Sequence, residues 1–136
     1  MAYVLKRTGK YTVSVELSLD SSSLDKDIYN VTDELIPDIC IYPKRQLVKA
    51  DDIMKMTDMP LMVVEVLSFR QITSSLVEKF RAYFALGVQS CWLVDPVTQT
   101  VHVYSSNDQW RSFSMTDELV DEVLDIRVAV AELFES

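Results

Sequence analysis

The stretch LMVVEVLSFRQITSSLVEKFRAYFALGVQSCWLVDP, residues 61–96, decides how this chain folds. Leu61 to Leu67 is almost continuously apolar, the signature of a strand buried on both faces. Gln71 to Leu86 then carries apolar residues at helical spacing and stops at Gly87, a residue suited to ending a helix. Ser90 to Val94 is a further apolar strand. One residue interrupts the first run: Glu65 places a carboxylate where an ionised group is expensive unless it is paired or binds a cation. A sheet edge open to water, or a neighbouring lysine, would account for it equally well.

The helix holds a second anomaly. At 100° per residue, Ile72, Leu76, Phe80 and Tyr83 form one apolar stripe, while Glu78 and Arg81 point away. Lys79 follows Ile72 by seven residues and precedes Tyr83 by four, so it shares the apolar side. A lysine there can extend its amine to solvent. It can also reach the strand beneath, because a helix directly following a strand packs across the sheet, and that strand holds Glu65.

Upstream, Tyr11 to Leu19 alternates apolar and polar residues and predicts one half-buried strand. Met1 to Lys10 reads as a helix end stopped near Gly9, or as a frayed terminus. Asp20 to Asp33 is rich in Ser and Asp and reads as a loop. Asp38 to Tyr42 is a short β-prone run between Pro37 and Pro43, and Lys44 to Met59 is irregular, with one helical turn expected near Ala50 to Met54. Asp38 is the third anomaly. It is either a turn residue at a strand start or, if its strand lies beside that of Glu65, part of a carboxylate pair. Two carboxylates and a lysine would make a hard-oxygen site for Mg²⁺ or Mn²⁺.

Downstream, Ser90 to Val94 and Val101 to Tyr104 flank the turn Asp95 to Gln99 and predict an antiparallel hairpin. Val130 to Phe134 predicts a short last helix. Strands and helices thus alternate irregularly, which predicts an α/β fold with a mixed sheet flanked by helices. With 136 residues, two glycines and no repeat or linker, the chain reads as one domain.

Composition narrows the function. The formal net charge of -8 weighs against binding nucleic acid through bulk electrostatics. The charge is uneven, however: Lys44, Arg45, Lys49, Lys55, Arg70, Lys79 and Arg81 cluster in the middle, whereas acids crowd the end from Asp117 onward. No apolar run approaches the roughly 20 residues of a membrane span, and the first ten residues lack a secretory h-region. Cys40 and Cys91 sit among large apolar residues and read as buried, reduced thiols, as expected in the cytoplasm. The lone His102 sits on an alternating strand and reads as half-exposed; without a second histidine or a close cysteine pair it does not suggest zinc. Trp92 and Trp110 read as core or interface residues.

The ordered set Pro37-Asp38, Glu65-Val66-Leu67-Ser68, Glu78-Lys79 with Tyr83, Gly87-Val88 and Trp92-Leu93-Val94-Asp95-Pro96 resembles the bacterial Uma-two family of restriction-endonuclease-like proteins, within the PD-(D/E)xK nuclease superfamily. The resemblance runs over about residues 11 to 105. It implies a restriction-endonuclease-like core and Mg²⁺- or Mn²⁺-dependent hydrolysis of nucleic acid, DNA above all. It implies that Asp38 matches the PD aspartate, Glu65 the second acid, and the Val66 carbonyl a third metal ligand. Leu67 stands where the superfamily lysine normally lies, and Lys79 matches the position to which that lysine has moved in this family. A homodimer is implied because two sites are needed to cut a duplex. The chain departs from the family at Ser75, where an Asp is frequent, and at Phe69, where a Pro is. It also begins at about the end of a helix that is longer in most members, so Glu16 is a substitute candidate for a missing acidic ligand. Two other readings remain: a nuclease-like domain that has lost activity and serves as a binding or assembly module, and a plain dimerisation or toxin-partner domain with Trp110, Phe113 and the Trp92 strand at its interface.

Overall fold

A computed structural model describes residues 1–7, 9–44, 56–68 and 73–135 of the chain. The expected turn at Ala50 to Met54 lies outside these residues, as do Arg45, Lys49, Lys55, Phe69, Arg70 and Ile72.

The organising element is a six-stranded mixed sheet. Its strands are β1 (Tyr11–Val15), β4 (Ile39–Pro43), β5 (Met62–Val66), β6 (Ser90–Asp95), β7 (Thr100–Ser106) and β8 (Gln109–Phe113), in the spatial order β1-β4-β5-β6-β7-β8. Only β5 and β6 run parallel; the remaining pairs are antiparallel. The parallel pair needs a crossover, and the helix α3 (Thr73–Leu86) supplies it.

Alternation along the strands sorts the core into two layers. Leu76, Phe80 and Tyr83 of α3 pack with Cys40, Tyr42, Val63, Cys91 and Leu93 on one face. Ile41, Met62, Val64, Trp92 and Val94 point to the other face. There they meet Val4 and Leu5 of helix α1 (Ala2–Arg7), Leu133 of helix α4 (Val130–Glu135), and the hairpin of β9 (Glu118–Asp121) and β10 (Ile126–Ala129). The β5 run is apolar at consecutive positions because both faces are covered. Both cysteines are buried and free.

Local signals explain the ends of the elements. After α3, Gly87 takes φ 105°; its N–H donates to the Phe84 carbonyl at 3.1 Å and that of Val88 to the Tyr83 carbonyl at 3.0 Å, a Schellman stop. Gly9, at φ 70°, follows α1 in the same way, with its N–H bonded to the Lys6 carbonyl.

The predicted strand from Tyr11 to Leu19 is two elements. Glu16 takes φ 52° and turns the chain after Val15. Leu19 then belongs to β2 (Leu19–Asp20), which pairs with β3 (Glu34–Leu35) in a separate small sheet. The expected loop from Asp20 to Asp33 contains a single turn of helix, α2 (Lys26–Tyr29). Asp25 caps its start by accepting from the Asp27 N–H, and Asn30 ends it in the left-handed region. No described helix is long and apolar enough to cross a membrane.

A buried acid ties the hairpin to the sheet. Asp121, 1 % exposed, accepts from the Ser90 hydroxyl and the Trp92 indole N–H through Oδ2. Its Oδ1 accepts from the N–H groups of Val123 and Leu124, so the carboxylate holds both the β9–β10 turn and β6.

Candidate active site

Asp38, Glu65 and Lys79 come together where the C-terminal end of β5 passes beneath α3. The β4–β5 register sets Ile39 opposite Val64, so Asp38, immediately before β4, lies across from the end of β5. Its Oδ2 accepts the Val66 N–H at 2.6 Å, which fixes the carboxylate beside Glu65. The Asp38 carbonyl in turn accepts the Glu16 N–H at 3.2 Å.

Glu65 is 3 % exposed, on the sheet face that α3 covers. Two residues of α3, one helical turn apart, address its two oxygens. The Tyr83 hydroxyl donates to Oε1 at 2.9 Å, and Lys79 Nζ stands 4.0 Å from Oε2. Tyr83 is fully buried, and its hydroxyl meets the requirement that a buried phenol find a partner. The Lys79 side chain is 37 % exposed: it spans from Glu65 to solvent. On its outer side lies an open groove of about 480 Å³, lined by Asn30, Val31, Ser74, Ser75, Glu78 and Lys79.

Burial pushes the Glu65 carboxyl up from 4.5 to about 7; Lys79 and the Tyr83 hydrogen bond work against this rise, and the negative charge of Asp38 adds to it. Burial, reinforced by Glu65, also raises the Cys40 thiol to about 12. The cysteines near the site are therefore neutral packing residues, not thiolate nucleophiles.

The donor set fits a hard divalent cation. It offers carboxylate oxygens, which Mg²⁺ and Mn²⁺ prefer. Burial makes the ionised form of Glu65 costly, and a bound cation would offset that cost. Among the described residues no group of three His, Cys, Asp or Glu comes together to hold a metal. The protein side chains here are thus two acids, and the rest of a coordination shell would come from main-chain oxygen and water.

Other sequence expectations separate from this cluster. Glu16 approaches Asp38 through its main chain, but its side chain is exposed and completes no three-acid group. Ser75 is exposed in the groove beside Lys79. Leu67 continues beyond β5, with its N–H bonded to the Val94 carbonyl at 2.8 Å. His102 stands apart on β7, half-exposed, with Nδ1 2.7 Å from Ser112 Oγ across the strand pair. Trp92 is core, whereas Trp110 is 54 % exposed and stacks on Tyr104 at 5.3 Å. Two contacts at the site were not suggested by the sequence: the Val66 N–H to Asp38 and the Tyr83 hydroxyl to Glu65. For Tyr83, its position on the apolar stripe, four residues after Lys79, was the available signal.

Residues 8–131 match the model of the family named Uma2, described as "Putative restriction endonuclease". The chain belongs to the Uma2 family. Its fold is also similar to a crystal structure from Anabaena variabilis ATCC 29413, described as that of a "putative nuclease belonging to DUF820". The TM-score is 0.67 at 21 % identity, covering 98 % of this chain and 73 % of that one. At that identity the likeness speaks for the fold alone. Among curated proteins no match was found.

Proposed function

We propose that this Uma2 chain is a metal-dependent endonuclease that hydrolyses phosphodiester bonds of nucleic acid, with DNA the preferred substrate. One observation carries the reading: a carboxylate buried in the sheet, Glu65, is held between a tyrosine and a lysine of α3 and sits beside a second carboxylate, Asp38. A core of this size does not need such a cluster, and the cost of burying it is explained by a task. Family membership supplies the class of that task.

In this reading Asp38 and Glu65, with the Val66 carbonyl, hold Mg²⁺ or Mn²⁺. The cation, when bound, supplies Lewis acidity and an activated water. Asp38 is aimed by its bond to the Val66 N–H, so its second oxygen remains for a cation. Lys79 brings a positive charge to the rim of the site, where it can donate to the attacking water or to the phosphate oxygens as negative charge grows on them. The groove beside Lys79 offers hydroxyl and amide groups to a passing backbone. One domain over residues 1–136, a cytoplasmic setting and a homodimer that cuts both strands belong to the same proposal. Two buried reduced cysteines support the setting.

The test is a cleavage assay on duplex DNA, single-stranded DNA and RNA with Mg²⁺, Mn²⁺ or chelator. Cleavage that needs metal and disappears in Glu65→Ala and Lys79→Ala, with folded protein in both, supports the proposal; full activity in either variant refutes the assignment. A second reading, an inactive nuclease-like binding or assembly module, is favoured by the net charge of -8 and by the absence of a third acid at the site among the described residues. Metal binding without cleavage of any substrate would select it.

A further inference from the structure

Resting on the metal-site reading above, we propose that Tyr83 is a positioning residue: its hydroxyl occupies Glu65 Oε1 and thereby leaves Oε2 as the oxygen available to a cation. The geometry is specific. Tyr83 Oη lies 2.9 Å from Oε1, whereas among the described residues Oε2 meets the longer 4.0 Å approach of Lys79. A glutamate carboxylate, joined to its strand through three rotatable bonds, would otherwise turn about the last of them and offer either oxygen.

The same helix sets both contacts. Lys79 and Tyr83 are separated by four residues, so they lie on one face of α3. The two side chains differ in purpose. Lys79 is part-exposed and reaches the groove; Tyr83 is fully buried between Phe80 and the sheet and touches neither groove nor solvent. Tyr83 therefore acts through Glu65 and not on a substrate. A phenylalanine would pack the same ring, so the position requires tyrosine only for its hydroxyl. Partners of this kind, which hold a metal ligand without touching the metal, typically change affinity 10- to 100-fold when removed.

The experiment titrates Mn²⁺ into the full chain by calorimetry at pH 8.5, where carboxylates are ionised, for four proteins. They are wild type, Asp38→Ala, Tyr83→Phe and Phe80→Leu, each checked for native circular dichroism. Phe80 packs against Tyr83 in the same core and carries no group that can hydrogen-bond to Glu65, so its variant reports what loosened packing alone does. The expected result is binding by wild type, loss in Asp38→Ala, at least 10-fold weaker binding in Tyr83→Phe, and a change of no more than about twofold in Phe80→Leu. Wild-type affinity in Tyr83→Phe overturns the positioning role and leaves the metal site standing. Equal weakening in Tyr83→Phe and Phe80→Leu also overturns it, since packing would then be the cause. Absence of binding in wild type removes the metal-site reading, and this role with it.

Discussion

Replacing Glu65 by glutamine should stabilise the protein, and the gain should grow with pH. The glutamine carbonyl can still accept the Tyr83 hydroxyl, so the substitution chiefly removes the charge. In the folded chain the Glu65 carboxyl is raised from 4.5 to about 7. The folded state thus holds this proton more tightly than the unfolded state does. Below pH 4.5 both states are protonated and the group has no effect. Between 4.5 and about 7 stability falls as pH rises, and above about 7 the whole cost is present. At about 1.4 kcal/mol per tenfold change in proton affinity, that cost is about 3 kcal/mol. Urea unfolding of wild type and Glu65→Gln in metal-free buffer reads it. With a denaturant slope of about 2 kcal/mol per molar, the variant midpoint should lie about 1.5 M higher at pH 8.5. At pH 4, where both states are largely protonated, the two midpoints should nearly coincide. A gap independent of pH, or a variant less stable than wild type at pH 8.5, would refute the claim that Glu65 is a buried charge maintained at the expense of stability.

Asp121→Asn should destabilise by about 2 kcal/mol in urea unfolding, because an amide has one acceptor oxygen and in either orientation its NH2 would face a main-chain or indole N–H, leaving a donor unpaired; a loss below about 0.5 kcal/mol would contradict its role as the hairpin anchor. Gly87→Ala should cost about 1 kcal/mol by the same assay, from backbone strain at φ 105° alone, since an added Cβ meets nothing within 4 Å. No loss would mean that the Schellman stop tolerates a side chain.

The sheet and crossover helix were legible because their signals are long and regular. Residues 61–96 combine an apolar run, a stripe of 3.6 period and a glycine stop, and each corresponds to β5, α3 and the turn at Gly87. Glu65 and Lys79 stood out because a polar group in an apolar pattern is an expensive exception that invites a partner, whereas the place of Asp38 stayed open between a turn and a carboxylate pair until the β4–β5 register set it beside Glu65. What escaped was short or set by distant contacts. The alternation from Tyr11 continues through Leu19, yet Glu16 turns the chain and Leu19 is recruited by β3 and the Met56 strand bridge. The helix α2 is four residues long and depends on its caps, with no apolar stripe. The β9–β10 hairpin lies in a segment whose acids suggest a solvated tail. Its fold follows from Leu119, Ile126 and the inward-facing Asp121, which only the tertiary structure distinguishes from the neighbouring exposed acids.

The proposed activity stands or falls with Asp38 and Glu65 forming a cation site. Calorimetric titration of Mg²⁺ and Mn²⁺ into wild type and Asp38→Ala tests it most directly. Wild type should bind, and binding should vanish in Asp38→Ala while the variant remains folded. Equal binding by both proteins, or none by wild type at millimolar metal, would contradict it.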